Sequence, residues 1–336
     1  MKAYEIQAFG FENLKLVDRP EPQAGPGEVL LKMRAWSLNF RDLMVAKGHY
    51  NPKLKMPAVP LSDGVGEVVQ VGAGVSRVKV GDRVAGCFMT KWICGAIDEA
   101  KARSALGGGG PTGMLAEYVA ISEEGVVQVP AHLSDEQAAT LPCAAVTAWH
   151  ALVPEGHVKA GDTVLVQGTG GVSMFALQFA AMHGAKVIAT SSSDEKLSKA
   201  LQLGAAEGIN YKSLPEWDKR TLELTGGRGV DFVIEVGGAG TLPQSMKAVR
   251  SGGQISLIGV LTGGGQVNPM PILMRGIRVQ GIFVGSRDMF EAMNRAIAQH
   301  QMQPVVDRVF PFAEAVEAYR YMESGAHFGK VAIKEG

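Results

Sequence analysis

Two kinds of hydrophobic pattern divide this chain. Early on, apolar and polar residues alternate in short runs separated by Pro- and Gly-rich turns, as in Leu14–Val17, Val29–Met33 and Gly66–Gly72. This alternation is typical of short antiparallel strands, and it predicts a further strand over Val78–Val84. Trp36–Gly48 has the spacing of a short helix that a glycine ends. The first part of the chain is therefore predicted to be an antiparallel β domain.

From residue 161 the pattern changes to strands that alternate with helices. Apolar runs at 163–167, 186–190, 208–210, 230–235, 254–259 and 278–284 are separated by helical patterns at 172–183, 195–203, 215–225, 241–248 and 269–274. Such alternation predicts a doubly wound, parallel α/β sheet of six strands. Two amphipathic helices, 289–300 and 313–324, follow, and a last strand, Lys330–Lys334, is expected to rejoin the first domain.

A glycine turn joins the first of these strands to its helix. In Val164–Ala176, Gly168 is suited to a sharp turn and Gly170 to close approach of a phosphate, because neither has a Cβ atom. Ser173 stands where the third glycine of such turns is usual, and its hydroxyl is expected near a pyrophosphate. The turn predicts a dinucleotide site. The alternative is that it is only the glycine turn before an ordinary helix of an α/β sheet.

The next strand ends in small hydroxyl side chains. Ser191, Ser192 and Ser193 leave room for a ribose 2′-phosphate, and Lys196 can supply a positive charge one helical turn later. An acidic residue at the first position would instead bind both ribose hydroxyls and select NAD. This run predicts NADP(H) rather than NAD(H). The alternative interpretation is a serine-rich helix cap with a solvated lysine, and Asp194 and Glu195 keep it open.

Composition excludes several classes of function. The formal net charge is zero, so neither nucleic acid nor an anionic membrane is an expected partner. Three cysteines are too few for a disulfide framework, and the first residues lack the apolar core of a signal peptide. A soluble, cytoplasmic protein is expected.

Six short motifs, taken together, resemble the medium-chain dehydrogenase/reductase superfamily over nearly the whole chain. They are Asn39–Asp42, Gly64–Val68, Val80–Val84, Ala138–Pro142, Gly168–Val172 and Phe328–Val331. The resemblance implies a GroES-like, antiparallel β-barrel catalytic domain at 1–144 and 284–336. It also implies a Rossmann NADP(H)-binding domain at 145–283, with the active site in the cleft between the domains.

The resemblance also identifies where alcohol dehydrogenases of this superfamily bind a catalytic zinc. Those positions hold Asn39, Ser62 and Cys143, and the lobe with four closely spaced cysteines is missing. Zinc needs about three protein ligands, so no zinc site is expected. The alternative is a site formed by Cys143, His49 and Asp63. The chain is similar to the zinc-independent, quinone oxidoreductase-like branch.

The resemblance implies roles for individual residues. Asn39 and Asp42 would line the catalytic cleft. Without zinc, a hydrogen-bond donor must polarise the carbonyl, and the sequence offers Tyr50, His49, Lys47 and Asn39 as candidates. The Tyr50 hydroxyl or a bound water could supply the proton, and the alternative is that Tyr50 and His49 only shape the pocket. The residues expected to bind the cofactor are Thr147, Gly168, Thr169, Gly170, Gly171, Val172, Ser191, Ser192, Lys196, Tyr211, Gly237, Ile258, Val260, Phe283 and Lys330.

The expected function is hydride transfer from NADPH to a quinone, an α,β-unsaturated carbonyl or a related small apolar carbonyl compound, without zinc. The alternatives are an alcohol dehydrogenase or carbonyl reductase of the same superfamily, and a non-catalytic NADPH-binding protein. A homodimer is expected by analogy, through pairing of strand Arg278–Val284 with its copy.

Overall fold

The computed structural model describes residues 1–110 and 112–335. The chain forms two compact units: Met1–Val146 together with Gly285–Gly336, and Thr147–Val284. The second unit is continuous in sequence and is inserted into the first. Among the described residues, no helix combines the length and the apolar character needed to cross a bilayer.

The first segment of the first unit is mostly β structure. Its strands are β1 (Lys2–Ile6), β2 (Leu14–Asp18), β3 (Glu28–Ser37), β4 (Asp63–Val71), β5 (Arg83–Gly86), β6 (Tyr118–Ser122) and β7 (Val126–Gln128), and its helices are α1 (Phe40–Ala46), α2 (Glu99–Ala102) and α3 (Asp135–Ala138). The expected helix Trp36–Gly48 starts later than predicted, because Trp36 and Ser37 complete the buried strand β3.

The strand predicted over Val78–Val84 was wrong in its first part. Only Arg83–Gly86 forms a strand, because the preceding residues make a turn. The side chain of Asp82 accepts a hydrogen bond from the Lys79 backbone N–H at 3.0 Å, and Gly81 has a φ of 90°. A local side-chain bond and a glycine in the left-handed region thus override the alternating pattern.

The second unit is the predicted doubly wound sheet. Its helices are α4 (Val146–Leu152, which starts at the boundary), α5 (Gly171–Met182), α6 (Asp194–Gln202), α7 (Trp217–Leu224), α8 (Leu242–Ala248) and α9 (Met270–Arg275), and its strands are β8 (Thr163–Gln167), β9 (Lys186–Ser191), β10 (Glu207–Asn210), β11 (Val230–Glu235), β12 (Val249–Leu257) and β13 (Arg278–Gly281).

All six strands run parallel in the order β10–β9–β8–β11–β12–β13, which confirms the Rossmann prediction. Every residue of β8 and β11 is buried, as expected for strands covered on both faces by helices. The carboxyl ends of parallel strands lie at one edge of a sheet. The loops that follow β8 to β13 therefore meet at that edge.

The last segment returns to the first unit. It contains α10 (Arg287–His300), β14 (Val306–Pro311), α11 (Ala315–Glu323) and β15 (Lys330–Lys334). Strand β15 lies between β14 and β3 in a seven-stranded sheet, and it pairs antiparallel with β3 through Ala332, Ile333 and Lys334. The prediction that this strand rejoins the first domain is confirmed. This pairing brings Lys330 close to the residues that follow β3.

Candidate functional site

In the first unit, Asn39 and Asp42 lie at the start of α1, directly after β3. One oxygen of Asp42, Oδ2, accepts a hydrogen bond from the Asn39 backbone N–H at 2.7 Å, which caps the helix. The other oxygen, Oδ1, is buried and has no hydrogen-bond partner in the described part of the chain. Burial raises the pKa of Asp42 from 3.8 to about 7, against the opposing charge of Arg41. This carboxyl group is thus close to the balance between its charged and neutral forms near neutral pH.

Lys330 joins Asn39 from the other end of the chain. Its ammonium donates hydrogen bonds of 2.6 Å to the carbonyl oxygen of Leu38 and to Oδ1 of Asn39. It lies 3.8 Å from Oδ2 of Asp63, and only 3% of the lysine side chain is exposed. The lysine that was expected to contact the cofactor is therefore already bonded to Leu38 and Asn39.

Asp63, fully buried at the start of β4, is the carboxyl group of this cluster. The Ser62 hydroxyl donates to Oδ1 at 2.8 Å, and the backbone N–H of Cys143 donates to Oδ2 at 3.3 Å. Burial raises the pKa of Asp63, while the charge of Lys330 and the nearby Asn39 amide and Ser62 hydroxyl oppose that rise. We name the group formed by Asn39, Ser62, Asp63, Cys143 and Lys330 the lysine cluster.

The lysine cluster does not fit a zinc ion. Its Asn39, Ser62 and Cys143 occupy the three expected ligand positions, and a lysine ammonium is bonded to the first. Burial raises the pKa of the Cys143 thiol, which disfavours the thiolate that zinc requires. Over residues 1–110 and 112–335, no group of three or more His, Cys, Asp and Glu side chains is arranged to hold a metal ion.

Tyr50 lines a cavity of about 340 Å³ in the same unit, and the described residues that line this cavity include none of the lysine cluster. Its ring is 37% exposed and lies 4.8 Å from the guanidinium carbon of Arg41. Arg41 also stacks on Phe88 and donates to the carbonyl oxygen of Leu106 at 2.8 Å. Tyr50 is thus partly exposed beside this cavity, as a proton donor would have to be.

In the second unit, the glycine turn after β8 leaves open space. Gly168 has a φ of 68°, which favours glycine, and Gly170 precedes the first residue of α5. Of the described residues, none beyond the chain neighbours lies within 4 Å of a Cβ atom built on either glycine, and none caps the helix with its side chain. The uncapped N–H groups of a helix start bind phosphate well. Gly168, Thr169, Gly170, Gly171 and Val172 therefore fit a dinucleotide pyrophosphate.

Ser173 has a different role from the one expected. Its side chain is buried, and its hydroxyl donates to the carbonyl oxygen of Gln167 at 2.6 Å. The hydroxyl thus ties α5 to the end of β8 and is not directed to a phosphate. A serine suits this position because it is small and satisfies a buried carbonyl.

The hydroxyl run after β9 is partly used within the protein. Ser193 caps α6 by accepting from the Lys196 backbone N–H at 3.3 Å, and Ser191 Oγ accepts from the Ser193 N–H at 3.3 Å. Asp194 accepts from Asn210 at 2.8 Å, which turns its carboxylate towards β10. Ser192 is half-buried, and Tyr211, 41% exposed, follows β10 beside this run.

The other expected cofactor residues lie in the second unit as well. Gly237, Ile258 with Val260, and Phe283 follow β11, β12 and β13, which places them at the same sheet edge as the glycine turn. Val260 and Phe283 are exposed, and Thr147 is buried in α4.

Sequence reasoning missed Glu235, the last residue of β11. Its side chain is fully buried, and its carboxylate accepts from Gln167 Nε2 and Gly237 N (2.8 Å each), Gly238 N (3.0 Å), Thr241 Oγ1 (2.5 Å) and the Ser245 hydroxyl. We name these residues the glutamate cluster. A charged residue that ends an apolar run before Val236–Gly237–Gly238 is the signal that could have found it.

Comparison with known proteins identifies the class. The alcohol dehydrogenase GroES-like domain family matches residues 25–131, and the zinc-binding dehydrogenase family matches residues 171–299. A zinc-type alcohol dehydrogenase-like protein of Schizosaccharomyces pombe is 47% identical over 333 residues, 97% of this chain and 96% of that protein. The chain belongs to the medium-chain dehydrogenase/reductase superfamily.

Further relatives define the type of enzyme. A quinone oxidoreductase of Rattus norvegicus is 30% identical over 99% of this chain and 97% of its own length. A crystal structure from Sinorhizobium meliloti 1021, whose name includes alcohol dehydrogenase, has a TM-score of 0.93 with 42% identity, covering 99% and 98% of the two chains. A mycobacterial structure complexed with NADPH has a TM-score of 0.84 with 28% identity, covering 99% and 100%. This protein is an NAD(P)-dependent oxidoreductase.

Proposed function

We propose that this protein reduces quinones, α,β-unsaturated carbonyls or related small apolar carbonyl compounds with NADPH, and that it does so without zinc. The observation that carries the proposal is the lysine cluster, in which Asn39, Ser62 and a protonated Cys143 stand at the zinc-ligand positions around the Lys330–Asp63 pair. The likeness to a quinone oxidoreductase supports it.

The cofactor assignment rests on the second unit. The open turn at Gly168–Val172 would hold the pyrophosphate, while Ser191, Ser192, Lys196 and Tyr211 would surround the ribose phosphate. The NADPH-complexed neighbour supports NADPH, whereas another similar structure is named an NAD-dependent alcohol dehydrogenase. Titration of the apoprotein with both cofactors tests it, since equal or tighter binding of NADH contradicts it. Lys196→Ala should weaken NADPH selectively by about 1–3 kcal/mol, the value of a hydrogen bond to a charged group.

When bound, the reduced nicotinamide supplies a hydride. The protein must then stabilise negative charge on the substrate oxygen and provide one proton. Asn39 is a candidate donor to that oxygen, and the Tyr50 hydroxyl or a water is a candidate proton source. Asp42 holds the start of α1, and so the backbone of Asn39, in place.

Two measurements decide the proposal. Metal analysis of the purified protein should find zinc far below one equivalent, because one thiol with an amide and a hydroxyl is a poor ligand set. NADPH oxidation should follow addition of 2-cyclohexen-1-one, 1,4-benzoquinone or 1,2-naphthoquinone. Stoichiometric zinc with oxidation of simple alcohols would favour the alcohol dehydrogenase alternative. Tight NADPH binding without turnover of any compound would favour the non-catalytic one.

We also propose that the protein is a homodimer, joined through the β13 edge of the second unit. Strand β13 ends the sheet, and helix α9 beside it carries exposed apolar side chains at Met270, Leu273 and Met274. Leu273 and Met274 are 75% and 73% exposed, which is unusual for an isolated surface helix. Light scattering should give the dimer mass, and Leu273→Asp with Met274→Asp should give the monomer.

A further inference from the structure

The two ends of the Asn39 side chain have different surroundings. Its oxygen Oδ1 accepts a 2.6 Å hydrogen bond from Lys330. Its nitrogen Nδ2 is buried and, within the described residues, forms no hydrogen bond of ordinary geometry, although the Asn39 side chain acts on Asp63 as a weak hydrogen-bond partner that lowers the pKa of that carboxyl. Asn39 as a whole is 8% exposed. A buried donor without an acceptor is costly, so its persistence calls for an explanation.

Lys330 determines which end of the amide is left over. An ammonium has three donors and no acceptor, so it can bond to Oδ1 but not to Nδ2. Lys330 is itself held by the Leu38 carbonyl oxygen and lies 3.8 Å from Asp63. Because it is almost completely buried, it cannot turn to solvent and release the amide. A flipped Asn39 would place two donors against each other.

We propose that Lys330 is a positioning residue for carbonyl reduction, because it fixes the Asn39 amide with Nδ2 as the group that donates to the substrate's carbonyl oxygen. This inference rests on the proposed function and adds to it how the oxygen is polarised without a metal. It also changes the role of Lys330, which was expected to contact the cofactor.

The chemistry balances with one hydride and one proton. A hydride adds to the β carbon of an enone, the carbon–carbon π electrons shift, and the carbonyl π electrons move to oxygen, which gives an enolate. The Asn39 Nδ2–H group stabilises the charge that develops on this oxygen and keeps its own proton. A proton from the Tyr50 hydroxyl or from a water then adds to the α carbon, which gives the saturated ketone.

A double-mutant cycle tests the link between the two residues. Asn39→Ala should lower kcat for 2-cyclohexen-1-one by about 100-fold, the usual cost of losing one such donor. Lys330→Met should lower kcat by roughly 10-fold or more, since the amide loses its preferred orientation. In the Asn39→Ala background, Lys330→Met should change kcat by less than about threefold, because residues that act through one group are not additive.

Two controls separate positioning from general damage. Lys330→Arg keeps donors for Oδ1 and should restore most of the kcat lost in Lys330→Met. Ser62→Ala removes the Ser62 hydroxyl from Asp63 but keeps the hydrogen bond from Lys330 to Asn39, so its loss of kcat should be smaller than that of Lys330→Met. Should Lys330→Met fail to fold, Lys330→Leu takes its place in the cycle, and the urea midpoint of each variant is recorded beside its kinetics.

Three outcomes would overturn the inference. Independent, multiplicative losses in the cycle would mean that Lys330 does not act through Asn39. A raised KM for NADPH with unchanged kcat would place Lys330 at the cofactor. A loss of kcat in Ser62→Ala equal to that in Asn39→Ala would assign the effect to Asp63.

The inference and the proposed function can fail separately. If the wild type reduces no enone or quinone, the proposed function is wrong, and the side-chain amide signal of Asn39 in a ¹⁵N NMR spectrum then decides the inference. That signal, assigned with Asn39→Ala, should shift in Lys330→Met and return towards its wild-type position in Lys330→Arg. An unchanged signal in Lys330→Met means that Lys330 does not orient the amide.

Discussion

The glutamate cluster of the second unit and the lysine cluster of the first are both buried and polar, but they differ in how completely they are bonded. The Glu235 carboxylate accepts five hydrogen bonds, two of them from the backbone of the following loop. Within the described residues, Asn39 Nδ2 of the lysine cluster forms no hydrogen bond of ordinary geometry, and neither does Oδ1 of the neighbouring Asp42.

This difference distinguishes buried polar groups that fix the local structure from buried polar groups that can bind a ligand. A saturated cluster in the interior fixes one shape, because every alternative arrangement loses hydrogen bonds. The glutamate cluster accordingly shapes the loop Val236–Thr241, next to the open glycine turn. A cluster with an unbonded polar group lowers the stability of the folded protein, but that group can form a hydrogen bond to a bound substrate. We therefore look for chemistry at the lysine cluster and for rigidity at the glutamate cluster.

The largest expected effect breaks the saturated cluster. Glu235→Ala leaves five donors without their acceptor and opens a cavity, so the free energy of unfolding in urea should fall by about 3–5 kcal/mol. Glu223→Ala, which removes a carboxylate that is 64% exposed, should change the free energy of unfolding by less than about 0.5 kcal/mol. Equal effects of the two substitutions would mean that the glutamate cluster contributes no rigidity.

A smaller effect is expected from the titration of Asp42, the buried carboxyl group beside the lysine cluster. The pKa of Asp42 rises from 3.8 to about 7 on folding, so in this window the folded protein holds a proton that the unfolded chain has lost. The free energy of unfolding should therefore fall as pH rises from about 4 to 7, by at most about 4 kcal/mol.

Asp42→Asn is the matched comparison for this pH effect. Asparagine keeps an oxygen for the Asn39 backbone N–H but does not titrate, so its variant should lack this part of the pH dependence. Urea unfolding of both proteins between pH 4 and 8 measures the difference. Parallel curves for the two proteins would show that Asp42 titrates as an ordinary carboxyl group.

The smallest expected effect on stability is that of a substitution in the glycine turn, which lies next to the loop that Glu235 holds. Gly170→Ala should change the free energy of unfolding by no more than about 1 kcal/mol, since the new Cβ atom has open space among the described residues and the φ of residue 170 is −78°. It should nevertheless weaken NADPH by about 10-fold, because that atom occupies the space of the pyrophosphate. Gly264→Ala, also in open space, is the control. Unchanged NADPH affinity in Gly170→Ala would move the pyrophosphate elsewhere.

The fold followed from the sequence because its signals are local. The buried runs at β8 and β11, the glycine turn between β8 and α5, and the return of Lys330–Lys334 all depend on short stretches and a regular period. The strand expected at Val78–Val84 failed for a local reason as well, since one aspartate bond and Gly81 turn the backbone there.

The candidate site was predictable only in part. The motif Asn39–Asp42 pointed to the right segment, but the partner of Asn39 lies 291 residues away, and no short-range pattern indicates which atom a buried lysine will bond. The role of Ser173 was missed for the same reason. Hydroxyl groups satisfy nearby backbone oxygens as readily as they bind ligands, and the choice depends on the packed structure.

The position of β15 has a consequence for the order of folding during synthesis. The second unit is a single stretch, Thr147–Val284, so all of it has emerged before the first unit is complete. The first unit needs Lys330–Lys334 to fill the place between β14 and β3, and only then does Asn39 gain its lysine. The second unit can thus fold while the ribosome is still synthesising strand β15. The first unit, which contains Asn39, can complete its sheet only after that strand has emerged.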